Sequence, residues 1–325
     1  MITLYVPNGH CIARTELGPG APLPPEAVWI DLVQPSREEE LLVETALGID
    51  APTREEMQEI EVSSRLYTEN GAVYMTATVM SRMDTDQPLA SPVSFVLAGE
   101  RLVTIRYAEP RPFTSFGLRA QRATSGYTSG PLVLLGLFES IVDRLADVLE
   151  TTGQKIDTLS SDVFAADGAG ATRDFKGVLA RLGRNGDLTS KIRESLVSLA
   201  RVVHFMQEAA DIAHLRHAKD VKAGVAALDK DIASLLDHVS FLNNKISFLL
   251  DATLGLINIE QNGIIKLFSV VSVALMPPTL IASIYGMNFK FMPELGWEFG
   301  YPMAIGLMVT SAILPFVYFK RKGWL

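Results

Sequence analysis

The sequence predicts an α/β N-terminal domain, then a long α-helical stalk, then two transmembrane helices. Three observations carry that expectation. Short apolar runs separated by turn signals fill roughly the first 108 residues. No proline interrupts residues 132–276, which permits long helices. Two uncharged runs, residues 267–289 and 299–319, close the chain, and each has the roughly 20 positions a helix needs to cross a hydrocarbon core. The alternative for such a pair is a buried hairpin of a soluble protein. The short linker and the basic stop after the second run weigh against it.

Taken in order, residues 2–6 and 27–32 read as strands. Pro35-Ser36 opens a helix with a capping box from Ser36 to Glu39, and Thr53 to Glu56 repeats the device. Asn70-Gly71, between residues 65–67 and 73–80, is a hairpin signal, and Gly99-Glu100 similarly separates 93–97 from 102–106. From Gly130-Pro131 the pattern turns helical. One helix is expected over 132–166, then a break at Gly168-Ala169-Gly170-Ala171. A second helical stretch begins at Thr172, is interrupted near residues 183–186, and resumes to residue 217.

Ile232, Leu235, Val239, Leu242, Ile246, Leu249, Thr253 and Leu256 then alternate spacings of three and four, the heptad seam of a coiled-coil-like stalk. With no break before the first uncharged run, one helix is expected from about 228 to 285, on the order of 85 Å long. The expected division is an α/β domain over 1–125, a helical and stalk region over 130–263, a first span over 264–289, a loop over 290–298, a second span over 299–319 and a basic tail over 320–325.

At 325 residues the chain has room for two or three folding units. Its net charge of −8, with most acids upstream of residue 261, argues against a nucleic-acid partner and suits cations. Cys11 is the only cysteine, so an intramolecular disulfide and a cysteine-based zinc site are excluded, which fits a reducing compartment. Residues 1–7 have neither the basic nor the apolar region of a signal peptide. Lys320, Arg321 and Lys322 follow the second run and Lys266 precedes the first, while the loop carries Lys290 alone. That bias puts both termini in the cytoplasm and a short loop outside an inner membrane.

A second stripe on the stalk helix collects polar and small residues in the same register. It reads Asp251, Gly255, Asn258, Asn262, Ile265, Ser269, Ser272, Met276, Thr279, Ser283 and Gly286. Hydroxyls gain nothing from lipid, so this face should meet another helix or water. Its extension into Asp251, Asn258 and Asn262 favours water. Two helices cannot enclose a pore, so a water-lined path requires several copies around an axis. Pro277-Pro278 in the same span reads as a kink or as a carbonyl exposed to that path.

Particular strings then stand out. Ile257-Asn258-Ile259-Glu260-Gln261-Asn262 precedes the first span, and Tyr285-Gly286-Met287-Asn288 ends it. Phe291-Met292-Pro293-Glu294-Leu295 with Trp297 fills the loop, and Gly300-Tyr301-Pro302 opens the second span. Tyr318-Phe319-Lys320-Arg321-Lys322-Gly323-Trp324-Leu325 ends the chain. In these strings the chain resembles the CorA family of magnesium and cobalt transporters, enterobacterial-type members in particular. The likeness is close over about residues 250–325 and looser upstream, where Trp29-Ile30-Asp31-Leu32-Val33 carries it.

The resemblance implies a homopentameric funnel in a lipid bilayer, with the stalk helix continuing as a pore-lining first span and the second spans surrounding it. It implies Mg2+ as the transported and regulatory ion, with Co2+ or Ni2+ as further cargo. The selectivity filter falls on Gly286, Met287 and Asn288. Pore-lining positions are Asn258, Asn262, Ile265, Phe268, Ser272, Met276, Thr279 and Ser283; the stripe selects Ser269 where the family favours Phe268. Glu294 would attract cations at the outer mouth, or be an ordinary solvated acid. Asp251 would ring the cytoplasmic entrance. Regulatory Mg2+ between cytoplasmic domains would draw on Asp84, Asp86, Asp229, Asp231 and Asp237.

Two other classes stand beside this reading. A proton-coupled zinc transporter of the related branch is one; Met287 and the Met-Pro-Glu-Leu loop argue against it. A membrane-anchored enzyme is the other. His10, His204, His214, His217 and His238 form no catalytic pattern, and there is no nucleotide-binding glycine loop.

Overall fold

The computed structural model describes residues 1–18, 20–122, 126–164, 174–208, 218–288 and 290–324. It divides into two compact units, Met1–Leu249 and Leu250–Leu325. The expected break at 168–171 and the helix start at Thr172 lie outside the described residues.

The first unit is built on seven strands: β1 Ile2–Asn8, β2 Cys11–Glu16, β3 Trp29–Val33, β4 Leu66–Glu69, β5 Ala72–Ser81, β6 Leu89–Ala98 and β7 Arg101–Arg106. Their order in the sheet is β2-β1-β3-β7-β6-β5-β4. β3 and β7 run parallel and the other neighbours antiparallel. The β4–β5 turn has φ of 50° at Asn70 and 78° at Gly71. Two consecutive positive φ values define the hairpin turn that follows strand twist, which is why Asn-Gly occupies it.

Three short helices cover one side: α1 Arg37–Leu47, α2 Arg54–Gln58 and α3 Val62–Arg65. Both capping boxes form, Ser36 with Glu39 and Thr53 with Glu56. Val43 and Met57 pack with Ile30, Leu32, Tyr74, Val96, Val103 and Ile105 in the main core. A fourth helix, α4 Arg111–Ala120, starts at a proline-bearing first turn and buries Phe113, Phe116, Gly117 and Ala120. Neither β2 nor α4 is expected from sequence, though Asn8-Gly9 and the i, i+3, i+4, i+7 spacing of those four residues signal them.

The long helices are α5 Gly130–Phe164, α6 Phe175–Glu208 and α7 Ala218–Tyr285. α6 runs unbroken through Gly183 and Gly186, contrary to the expected interruption. Glycine costs a helix interior only about 1 kcal/mol, and tertiary contacts outweigh it. Leu182 and Thr189 are buried on either side, and Thr189 Oγ1 hydrogen-bonds Asn243 Oδ1 at 2.6 Å. α7 begins ten residues before the expected 228. Its seam residues Ile232, Val239, Leu242, Ile246 and Leu249 are buried. Gly186 approaches Ile246, Gly153 approaches Leu242, and Lys245 pairs with Asp157, so this seam packs on α5 and α6 of its own chain.

α6 also completes the sheet. β5 is buried along its whole length, and β4 reaches only as far as Met75. Beyond it, Thr78 would expose its backbone groups. Ser198 Oγ instead accepts from Thr78 N at 2.9 Å, and Ser195 Oγ donates to Thr78 O at 2.7 Å. Thr78 pairs on its other side with Pro92, which has no N–H to offer the ladder. Pro92 lies just past the end of the β6–β7 ladder, at Val93–Arg106, so its missing donor orphans nothing there.

At the parallel β3–β7 pair lies a buried ion pair. Asp31 Oδ1 accepts from Thr104 Oγ1 at 2.8 Å and from Arg106 Nε at 3.0 Å, and Oδ2 accepts from Arg106 Nη2 at 2.8 Å. Arg106 Nη1 donates to Ala108 O, and its guanidinium lies 4.7 Å from the Phe113 ring centre. Trp29 Nε1 donates to Thr104 Oγ1 and its ring stacks on Tyr5. Burial and then the Asp31 charge push the Tyr5 hydroxyl up to about 12. Glu139 on α5 is a second perturbed group. Burial raises its carboxyl, Arg119 pulls it back, and Asp143 and Asp231 of α7 raise it further.

Two stability predictions follow from these groups. Arg106→Met leaves Asp31 buried and unpaired and should cost about 3–5 kcal/mol, read as a lower Tm of the full-length protein; adding Asp31→Asn should recover part of the loss. The Glu139 carboxyl is raised in the fold, so its contribution is fully present below its ordinary value of 4.5 and is lost as pH climbs through the raised one. Glu139→Gln should therefore be as stable as the parent at pH 4 and more stable at pH 8. Thermal melts across that range check it, and a parent that outlasts the variant at pH 8 contradicts it.

Candidate ion pathway

From residue 250 onward α7 has two faces. At about 100° per residue, Ile265, Phe268, Met276, Thr279, Ser283 and Gly286 fall within about 40° of Ser272. All seven are exposed, Phe268 at 67% and Met276 at 68%. On the opposite side Val270 is buried, and Ala274, Pro277, Pro278, Ile281 and Tyr285 are half-buried. The last helix, α8 Gly300–Arg321, is covered along Ala304, Met308, Ser311, Pro315 and Phe319, again at helical spacing. Within Leu250–Leu325 each of the two helices thus carries one less exposed stripe at helical spacing.

This placement bears on the choice between Phe268 and Ser269. Phe268 stands on the open face, whereas Ser269 is half-buried beside Val270 and donates its hydroxyl to Ile265 O at 2.8 Å. Asp251, Asn258 and Asn262 are exposed and continue the open face toward the helix's earlier turns. Pro277 and Pro278 free the carbonyls four residues back, on Val273 and Ala274. Those positions lie roughly 100° and 160° from Ser272, off the open stripe.

The hydroxyls of the open face are oriented by the helix itself. Thr279 Oγ1 donates to Leu275 O and Ser283 Oγ to Thr279 O, each at 2.8 Å. A hydroxyl whose proton is held by the backbone presents its lone pairs outward. The face therefore offers acceptors, the chemistry that meets a cation or the hydrogens of its water shell.

At the end of the stripe the helix stops. Gly286 N still donates to Ala282 O and Met287 N to Ile284 O, after which Asn288 lies outside the helix. Gly286, Met287 and Asn288 are all exposed. Phe289 lies outside the described residues. A single 3-10 turn, Pro293–Gly296, carries Glu294, which is exposed. Phe291, Trp297, Phe299 and Tyr301 around it are 58–95% exposed, the aromatic composition of a membrane interface. At the other end of α8, Lys320 and Arg321 sit in the last turn, Lys322 stands over the Tyr318 ring, and Trp324 stacks on Phe319. Both helices are long and apolar enough to cross a membrane.

The acids named for regulation all lie in the first unit, and they are not equivalent. Asp84 is held by Arg111 Nη1 at 2.6 Å and Arg144 Nη2 at 2.5 Å, so its charge is already answered. Asp86 is exposed and lines a cavity of about 530 Å³ together with Lys155, Arg181 and Arg184. Asp229, Asp231 and Asp237 are exposed on α7, with Asp231 near the Glu139 carboxyl. Sequence reasoning missed Glu139, Asp143 and the two arginines on Asp84. Among the described residues no three His, Cys, Asp or Glu side chains converge as a metal-binding group within one chain. His204 pairs with Glu208 at 3.4 Å, while His214 and His217 lie outside the described residues.

Comparison with known proteins agrees with this architecture. The family model described as "CorA-like Mg2+ transporter protein" matches residues 25–321. The magnesium transport proteins CorA of Yersinia pseudotuberculosis and Escherichia coli K12 are each 36% identical over 327 residues, covering 100% of both chains. Among solved structures, the complete CorA magnesium transporter of Methanocaldococcus jannaschii superposes with a TM-score of 0.75 at 18% identity, over 100% of this chain and 99% of that one. The full-length CmaX protein gives 0.71 at 16% identity, over 98% and 97%. The α/β domain, long helix and two-span ending are thus the fold of these structures, and by sequence match along almost its whole length the chain belongs to the CorA-like Mg2+ transporter family.

Proposed function

We propose that this chain assembles around an axis into a channel-like pathway that carries hydrated Mg2+ into the cytoplasm across the inner membrane. The observation that carries the reading is the open, acceptor-rich face of α7, opposite its covered face and ending at Gly286-Met287-Asn288. Five copies, the number the family resemblance implies, would turn those faces inward. Both termini would then be cytoplasmic and the Glu294 loop periplasmic. The full-length relatives named for magnesium transport favour Mg2+ over the zinc alternative. Co2+ and Ni2+ remain cargo of the same charge and similar hydration chemistry.

The chemistry suits that ion. Mg2+ dehydrates reluctantly and demands near-octahedral oxygen geometry. Residues 267–289 and 299–319 contain no Asp or Glu, so nothing there would strip its waters. A ring of Asn288 amide oxygens, backed by Gly286 and Met287, would accept hydrogen bonds from the hydrated ion and release it again. Ile265, Phe268 and Met276 would form apolar constrictions that gate by dewetting, with Ser272, Thr279 and Ser283 between or beyond them. Asn258, Asn262 and Asp251 would continue the path to the cytoplasmic entrance.

Asn288→Ala should lower Mg2+ uptake by the purified protein in liposomes on the order of tenfold, the loss expected when a hydrogen-bonding ring is removed. Unchanged uptake would refute the filter assignment. Regulatory Mg2+ would be shared between copies. Saturating Mg2+ should then protect the first unit of the assembled protein from limited proteolysis, and Asp86→Asn with Asp237→Asn should weaken that protection. Equal cleavage with and without Mg2+ would rule the arrangement out.

A further inference from the structure

The loop that carries Glu294 is seated by one close backbone approach. Gly300, the first residue of α8, is buried although its neighbours Phe299 and Tyr301 are exposed. A Cβ built there would overlap the carbonyl oxygen of Glu294 and lie 3.5 Å from its carbonyl carbon and 4.0 Å from Trp297 Cβ. The obstacle is backbone, which cannot swing aside as a side chain would. The same oxygen accepts from Trp297 N at 3.3 Å, and Trp297 O accepts from Gly300 N at 2.9 Å. Pro293 fixes φ at the start of the turn. These contacts tie the Pro293–Gly296 turn to the first turn of α8. The Glu294 carboxylate itself is exposed, with no partner among the described residues.

We propose that Gly300 is a positioning residue for cation capture: its missing side chain lets the helix meet the Glu294 backbone and so fixes where the Glu294 carboxylate stands. The inference rests on the proposed reading of the loop as the outer mouth. A fixed carboxylate raises the local cation concentration at one place, whereas a displaced one spreads the same charge over the surface. Ala is the smallest change that restores a Cβ, and it should move the Glu294 backbone without altering any charge.

The test is Mg2+ uptake by full-length protein in liposomes, measured against Mg2+ concentration at low and high ionic strength. Gly300→Ala and Glu294→Gln should each raise half-saturation on the order of threefold to tenfold, with maximal rate unchanged and with less salt dependence than the parent. The double variant should be no worse than Glu294→Gln alone, because the glycine acts through the carboxylate. If Glu294→Gln leaves half-saturation unchanged, the reading of the loop as a capture site fails. If Glu294→Gln has its effect but Gly300→Ala is neutral or additive, the positioning role is overturned. Should Gly300→Ala fail to reach the membrane, Glu294→Asp withdraws the carboxylate by one methylene from the same backbone. Half-saturation raised at least threefold supports fixed placement; a parent-like value refutes it.

Discussion

A polar helix face gains nothing from hydrocarbon, and the second unit of this chain is arranged around that constraint. α7 carries Ser272, Thr279, Ser283 and Gly286 along one exposed stripe, and a less exposed side with two prolines lies opposite. The exposed surface is mixed: Val271, Leu275 and Leu280 stand open beside the stripe, which itself includes Phe268 and Met276. Thr279 and Ser283 spend their protons on the helix and turn lone pairs outward, so one chain alone would present acceptors to lipid. In the proposed assembly further copies would cover that face while keeping it wet.

The first unit obeys a related rule for buried polar groups. Asp31 would be costly alone, yet Thr104 and Arg106 answer both of its oxygens, and Ala108 O takes the remaining guanidinium edge. Trp29 enters the same network through Thr104 and then stacks on Tyr5, so the parallel strand pair is specified by polar registry as well as by apolar burial. β5 solves a smaller version of the problem. Its pairing partner β4 is too short, and two serines of α6 supply what the missing strand would have. The helical region is thus part of the sheet's hydrogen bonding, which is why residues 1–249 form one compact unit rather than two.

What could be read in advance follows the range of the forces involved. Asn70-Gly71, the two capping boxes and the two long apolar helices are local patterns, and the structure has a turn, caps and helices there. α6 runs through its glycines because burial of Leu182 and Thr189 outweighs a local penalty, which no window of sequence reveals. The polar and small stripe on α7 is a local pattern, and its members are exposed except Ser269. At that one place a strict 3.5-residue repeat and a 3.6-residue helix select different residues, Ser269 and Phe268. The partners of Asp84 could not be read at all. Arg111 and Arg144 lie 27 and 60 residues away, and only the tertiary fold brings them to one carboxylate.

That last pairing sharpens the division of labour in the proposed transporter. Asp84 already faces two arginines, which would compete with a cation for it, while Asp86, Asp229 and Asp237 stand exposed at the surface. No three of the described acids, histidines or cysteines in one chain converge as a metal-binding group. The proposed regulatory Mg2+ would draw ligands from more than one copy, which would couple its occupancy to how the copies stand against each other. The filter reading works on the opposite principle, with neutral oxygens and no carboxylate in either span. In the proposed transporter the two kinds of binding would use different donors: carboxylates would hold a regulatory ion, and amides and hydroxyls would touch only the water of the ion that passes.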